Sequence, residues 1–327
     1  MKGCGVVLLL GNSMLAQAEL QWQRVADLPV AVQEIYPVVY QGKIVVAGGI
    51  ASQLPLEQGQ MTAAVQLYDA KSNQWSMGPA LPEGRHHAYL ATVAERLFLF
   101  GGFVLADKGN WKASSDILEL TAGRWQKVAQ LPQPLTETVS FVLDGKVHLL
   151  SGRSPKGEAN ASWGDQQDQS VHWVFNPADF SISVQPALPL RFNSAASVTH
   201  DGAGYLLGGR QMGAANLSGF RRYLASPASW QSLPDLPQAQ AGHAAVAWQN
   251  GIWSIGGEYF DANGGGVYAG VWRFDLQKQQ WQQAGVQATA RHGLGAVVLN
   301  NELYLIGGAT QAGLNATSAV VEKLSTE

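Results

Sequence analysis

Six pairs of small residues recur along this chain at intervals of roughly 50 residues: Gly48-Gly49, Gly101-Gly102, Ser151-Gly152, Gly208-Gly209, Gly256-Gly257 and Gly307-Gly308. A fixed period of this length constrains the fold more than chain length does. Each repeat must be one small unit that buries its apolar surface against the next. A short apolar run stands before every pair, as in Lys43-Ile44-Val45-Val46-Ala47, Arg96-Leu97-Phe98-Leu99-Phe100 and Glu302-Leu303-Tyr304-Leu305-Ile306. Runs this short, bounded by turn residues, read as strands buried on both faces. Five of them follow a dipeptide that tolerates the positive φ of a tight hairpin: Gln41-Gly42, Asp144-Gly145, Asp201-Gly202, Asn250-Gly251 and Asn300-Asn301.

Downstream of the pairs the order is again regular. A variable loop leads to a strand ending in a large residue and a polar one: Tyr68-Asp69, Leu118-Glu119, Phe175-Asn176 and Phe274-Asp275. A strand centred on tryptophan follows (Trp75, Trp125, Trp230, Trp281), then a Leu-Pro step (Leu81-Pro82, Leu131-Pro132, Leu188-Pro189, Leu236-Pro237). The third repeat departs twice, with Ser151 for a glycine and Phe180 near the tryptophan position. The tryptophans, Trp22 included, read as core wedges.

This pattern resembles the kelch repeat, and the resemblance covers residues 19–327. It implies an all-β, six-bladed β-propeller. The chain ends suggest how the ring closes. Trp22 and Leu28-Pro29 form a tryptophan strand with no Gly pair before it, whereas Val320–Leu324 is a strand with no tryptophan strand after it. Together they complete one blade, so the last blade is expected to be closed by the N-terminal strand, leaving only short protected edges.

Residues 1–18 read as a signal peptide. Lys2 supplies the charge, Gly5–Leu10 the apolar core and Ala16-Gln17-Ala18 the cleavage site, which places the mature start at Glu19. The expected location is periplasmic or secreted. Cys4, the one cysteine, falls inside this leader, so the mature chain would hold no disulfide, no thiol nucleophile and no cysteine metal site. Without Lys2 the balance is 20 basic against 24 acidic residues, and no basic block is present. Neither nucleic acid nor a membrane surface is an expected partner.

Antiparallel blades bring two sets of loops to one face: those leading into each first strand and those following each Gly pair. Loops of all blades converge there on one axis, which favours a ligand site. The lead-in segments are Gln33-Glu34-Ile35-Tyr36, Arg85-His86-His87, Thr136-Glu137-Thr138, Arg191-Phe192-Asn193, Gly242-His243 and Arg291-His292. Directly after the pairs come Ile50, Phe103, Arg153, Arg210, Glu258 and Ala309, with Trp111, Trp163, Tyr259, Phe260 and Tyr268 farther along the loops. Guanidinium groups pair bidentately with carboxylates, so Arg85, Arg153, Arg191, Arg210 and Arg291, with His86 and His292, are candidate ligand-binding residues. Glu258, Glu137 and His243 are candidate acid–base groups. The alternative for Arg85, Arg291, His86, His243 and His292 is scaffolding, since buried polar groups must bond something, and kelch repeats commonly carry an Arg and a His here.

No metal or cofactor is expected. The kelch-like enzyme galactose oxidase uses copper with a Tyr–Cys cross-link, which a cysteine-free mature chain cannot form. An exported six-bladed propeller with arginine and glutamate on its axis is similar to the N-acetylneuraminate epimerase (sialic acid mutarotase) family. In that family a glutamate after a Gly pair accepts the proton, and Ser254-Ile255-Gly256-Gly257-Glu258 matches the motif. The resemblance implies an acidic sugar as ligand, isomerase chemistry, proton acceptance by Glu258 and a carboxylate held by Arg210 or Arg291. Two readings stay open beside it: a non-catalytic glycan-binding propeller and a scaffold that binds another protein.

Overall fold

The structure is a computed structural model that describes residues 20–325. The leader read at residues 1–18, with Cys4, lies outside the described residues. Six four-stranded antiparallel sheets follow one another around an axis, as the repeats imply. Blade 1 comprises Val38–Tyr40, Lys43–Ala47, Val65–Asp69 and Gln74–Met77. Blade 2 comprises Tyr89–Val93, Arg96–Phe100, Asp116–Thr121 and Arg124–Gln130. Val139–Leu143, Lys146–Leu150, His172–Phe175 and Ile182–Val184 form blade 3, and Ala196–His200, Ala203–Leu207, Phe220–Ala225 and Ala228–Leu233 form blade 4. Blade 5 is Ala244–Trp248, Gly251–Ile255, Gly270–Asp275 and Gln280–Val286. Blade 6 takes Gly295–Leu299, Glu302–Ile306 and Val321–Leu324 from the end of the chain and Gln23–Arg24 from its beginning. Gln23 faces Lys323 and Arg24 faces Glu322 across that antiparallel pair, so the ring closes as expected.

The Gly pairs mark an inter-blade contact. In each pair the second residue donates its N–H to a carbonyl at the start of the next blade: Gly49 to Arg85, Gly102 to Leu135, Gly152 to Phe192, Gly209 to Gln240, Gly257 to Arg291 and Gly308 to Val32. These bonds, 2.8–3.1 Å long, run full circle. The first residue of the pair sits under the same carbonyl. A Cβ on Gly48, which has a φ of +69°, would lie 2.2 Å from the Arg85 oxygen. Ser151 occupies this place in blade 3 at a φ of 57°, and its hydroxyl bonds the Phe192 carbonyl.

The core is six wedges, one between each pair of neighbouring blades. Four of the blade tryptophans staple them, whereas the indole N–H of Trp230 in blade 4 has no partner among the described residues. Trp75 donates its indole N–H to Ala26 O, Trp125 to Pro79 O, Trp281 to Pro234 O and Trp22 to Val286 O, in each case a carbonyl of the preceding blade's exit segment. In blade 3 Phe180 takes the tryptophan's place against Phe175, and Arg96 of blade 2 lies 5.2 Å from the ring centroid.

One hairpin differs from expectation. The positive-φ residues of the blade 5 turn are Gln249 and Asn250, not Asn250-Gly251. Gly251 is already in the strand, where a Cβ would meet the Arg273 side chain at 2.8 Å.

Candidate functional site

Each blade's lead-in segment carries one residue at positive φ close to the axis: Glu34, His87, Glu137, Ser194, Gly242 and Gly293, all between 47° and 61°. Their backbones bond one another around the axis. Gly293 N–H donates to Gly242 O (2.8 Å), Gly242 to Ser194 O (2.9 Å), Ser194 to Glu137 O (3.2 Å), His87 to Glu34 O (3.3 Å) and Glu34 to Gly293 O (2.7 Å). On one side of this ring is the central channel, a cavity of about 390 Å³ lined by first-strand residues such as Val39, Tyr89, Ser140, Ser197, Ala245 and Val298. Two of its hydroxyls are spent on the walls, Ser197 bonding Ser140 O and Thr199 bonding Val142 O, whereas Thr92 Oγ1 has no hydrogen-bond partner among the described residues.

The charged chemistry lies on the loop side of the ring. The residue before each ring position pairs with the residue after its Gly pair, so Thr136 meets Arg153, Asn193 meets Arg210, Ala241 meets Glu258 and His292 meets Ala309. This register sets Arg153, Arg210, Glu258 and His292 in one layer with the side chains of Glu34, His87 and Glu137. The layer is a continuous chain of opposite charges drawn from all six blades. Arg153 Nη1 donates to Glu137 Oε1 at 3.0 Å. Arg210 bridges Glu258 Oε1 at 2.6 Å and Glu137 Oε2 at 3.8 Å. His292 Nδ1 lies 3.4 Å from Glu258 Oε2 and 3.5 Å from Glu34 Oε1, and His87 Nε2 is 3.0 Å from Glu34 Oε2. His86 and His87 meet through their Nδ1 atoms at 2.6 Å.

Burial alone would neutralise Glu34, Glu137, His87 and His292, but their partners reverse that tendency. Burial pushes Glu34 up, yet His87 and His292 together hold it well below the usual carboxylate range. Glu137 is likewise lowered: burial is outweighed by Arg153, His87, Arg210 and the Ser194 hydroxyl. Burial pulls His87 and His292 down, and the carboxylates raise both above the ordinary histidine value. His86, desolvated and beside His87, is pushed well down.

Gly293 makes room for this arrangement. A Cβ there would lie 2.7 Å from Oε1 of Glu34 and 3.0 Å from its backbone nitrogen, at a φ of +55°. Gly293→Ala is therefore expected to cost about 1–3 kcal/mol and to expel Glu34 from the axis. Denaturant unfolding measures the cost. An unchanged midpoint would mean that the ring has slack.

A collar of loops surrounds the charged layer, and neighbouring loops are stitched all the way round. Trp111 Nε1 donates to Gly59 O, and Asn160 pairs with both N–H and C=O of Ala113. Met212 N–H donates to Asp168, Asn216 to Glu258 O, Gly313 N–H to Glu258 Oε2 and Gln33 to Thr317. Each loop also exposes one large apolar side chain: Leu56, Leu105, Trp163, Met212, Phe260 and Leu314. Trp163 covers Arg153, 3.8 Å from ring centroid to guanidinium, and Phe260 stands 5.9 Å from Arg210.

Of the candidates named from sequence, Glu137, Glu258, Arg153, Arg210 and His292 come together in this layer, with His86 at its edge. Four others lie elsewhere. Arg85 is sealed in blade 2, bonding Gly101 O, Ser114 and Glu83. Arg291 does the same in blade 6, bonding Gly307 O, Val320 O and Glu322. Arg191 is exposed, outside the axial chain. His243 follows its ring residue by one position, so its side chain turns back into the core, where neither ring nitrogen finds a partner and burial lowers it to about 3. Glu34 and His87 join the layer without having been singled out. Their signal was positional: both align with Glu137.

No protein-family model matches the chain. Among curated proteins it is 28% identical over 245 residues to kelch-like protein terF of Aspergillus terreus, covering 71% of this chain and 51% of that protein. It is 28% identical over 178 residues to Kelch-like protein 35 of Mus musculus, with 54% and 27% covered. With β-scruin of Limulus polyphemus it shares 21% over 303 residues, 88% of this chain and 32% of that one. The chain thus spans about half or less of the length of these relatives. The solved structure of YjhT superposes with a TM-score of 0.77 at 20% identity, covering 91% of this chain and 96% of that one.

Proposed function

We propose that this kelch-repeat β-propeller works in the periplasm or outside the cell, that it binds a small acidic carbohydrate on its loop face at Arg210, and that Glu258 supports mutarotase-type chemistry there. One observation carries the reading. The Arg210 side chain is 22% exposed, whereas those of Arg85, Arg153 and Arg291 are at 1% or less. Among the described residues, Nη2 of Arg210 has a 3.8 Å contact to Glu137 and no hydrogen bond. That leaves N–H donors of a partly exposed guanidinium for a ligand carboxylate. Phe260, 59% exposed, offers an apolar face for a sugar ring.

The chemistry asked of Glu258 is modest. A base takes the proton of the anomeric hydroxyl while the ring C–O bond breaks, an acid protonates the ring oxygen, and the open-chain carbonyl recloses on either face. The resemblance to the N-acetylneuraminate epimerase family supports this reaction. Glu258 is 3% exposed, with Arg210 on Oε1 and the Gly313 N–H on Oε2, so substrate reaches it only when one of these contacts gives way.

NMR of N-acetylneuraminate and glucuronate tests both parts. Saturation transfer should report binding that weakens about tenfold or more in Arg210→Ala. Anomer exchange should accelerate with the protein and return to the uncatalysed rate in Glu258→Gln, which keeps binding. If neither sugar binds, the proposal fails. If one binds without faster exchange, the site is a binding module and Glu258 loses its role. The collar's six exposed apolar side chains favour the second reading, a protein-binding face. That reading gains if sugars fail and a partner's footprint covers Trp163 and Phe260.

A further inference from the structure

Among the described residues, Glu34 is the one axial carboxylate with no arginine in salt-bridge range. Two histidines stand there instead, from blades 2 and 6. The surroundings of His292 point to one protonation state. Nδ1 faces carboxylate oxygens of Glu34 and Glu258, and Nε2 lies 3.1 Å from the Gly313 carbonyl oxygen. Neither Nδ1 contact is a formed hydrogen bond, but both place the nitrogen in salt-bridge range of a carboxylate. Ionised carboxylates and carbonyls only accept, so the ring that suits all three neighbours carries a proton on each nitrogen. His87 repeats the pattern on the other side of Glu34. Its Nε2 faces the carboxylate, and its Nδ1 faces the Nδ1 of His86, which accepts when His86 is neutral.

We propose that Glu34 is a positioning residue for the acid–base site: it keeps His292 protonated on both ring nitrogens, with Nδ1 facing Oε2 of Glu258 and Nε2 facing the Gly313 carbonyl. This rests on the reading that Glu258 is the acid–base group. The consequence is specific. If the Glu34 charge is lost, His292 keeps its Nε2 proton for Gly313 and presents an Nδ1 lone pair to Oε2. Two electron-rich atoms then face each other, and the ring turns away or Glu258 takes up a proton. The first change takes the N–H away from Oε2, and the second neutralises the base. The charged groups facing this pair are Glu34 from blade 1, His87 from blade 2, Glu137 from blade 3, Arg210 from blade 4 and Glu258 from blade 5. Burial opposes the charge on His292, and its raised titration agrees with the geometry.

Long-range ¹⁵N–¹H NMR of the full chain reads the protonation of each imidazole nitrogen. In the wild type, His292 and His87 should be doubly protonated at pH 7. In Glu34→Gln the His292 midpoint should fall by about one pH unit or more, and Glu34→Asp should recover most of it. Where anomer exchange runs, its kcat profile should move with that midpoint while KM changes less than about twofold. A singly protonated His292 in the wild type overturns the proposal, even if Glu34→Gln does not fold. So does an unmoved midpoint in Glu34→Gln. A midpoint that moves as expected with no sugar bound upholds the Glu34–His292 coupling and removes the carbohydrate reading instead.

Discussion

Replacing Arg153 by alanine should lower the stability of the propeller by about 3–5 kcal/mol, the range for removing one partner of a buried ion pair. Arg153 is fully buried and donates to Glu137, itself 1% exposed. Without the guanidinium, Glu137 keeps the Ser194 hydroxyl and the Trp163 indole N–H, but its nearest cation is Arg210 at 3.8 Å. Trp163 loses the group it covers, and Met212 loses its contact to Nη2. Arg85→Ala provides the contrast. Its nearest acidic partner, Glu83, is half exposed and rehydrates when freed, so that cost should be smaller. The double replacement Arg153→Met with Glu137→Leu should recover most of the loss, because no buried charge is stranded. Denaturant unfolding of the four proteins checks this. A loss under about 1 kcal/mol for Arg153→Ala would mean that Arg210 swings across to replace it.

The same lead-in segments explain why the ring was legible in the sequence and the site only in part. The Gly pairs recur because a next-blade carbonyl crowds the Cβ position at five of the six interfaces, Ser151 being the exception, and a demand repeated that often is visible as a period. The site is set by four successive positions whose directions differ. Two before the ring residue, the side chain enters the blade interface (Val32, Arg85, Leu135, Phe192, Gln240, Arg291). One before it and at the ring residue itself, it faces the axial layer. One after it, the side chain returns to the core (Ile35, Ala88, Thr138, Ala195, His243, Leu294). Arg85, Arg291 and His243 read as site residues because their polarity was visible and their direction was not. The positive φ that sets the direction is held by Glu, His, Glu and Ser in four blades, and only Gly242 and Gly293 hint at it. Aligning the six segments on those two glycines would have placed Glu34 and His87 on the axis. The stitched collar left no such trace, since each of its links uses a different side chain.

Acid should unfold this protein early, with the loss beginning just below pH 6.5. His243 is sealed without a partner and held neutral, lowered to about 3 by burial. His148 and His172, 2.9 Å apart in the aromatic wedge with Tyr223 and Trp230, are lowered to about 4 and about 3, again chiefly by burial. In all three the folded value lies below the unfolded one. Between the two values the unfolded chain binds more protons, so stability falls as pH falls through that window. For His243 the loss at pH 4.5 is about 2–3 kcal/mol. The coupled pair adds in the same direction, and its two protons enter as a unit. His87 and His292 carry the opposite sign. Their raised values mean that the folded state binds more protons above pH 6.5, so their contribution is lost as pH rises through those values. The two limbs place maximum stability close to pH 6.5. His243→Leu gives up no hydrogen bond and should flatten the acid limb by about one proton while leaving the alkaline limb unchanged. Thermal midpoints from pH 4.5 to 9 measure both limbs. An acid limb as steep in His243→Leu as in the wild type would show that this buried ring is not where the proton goes.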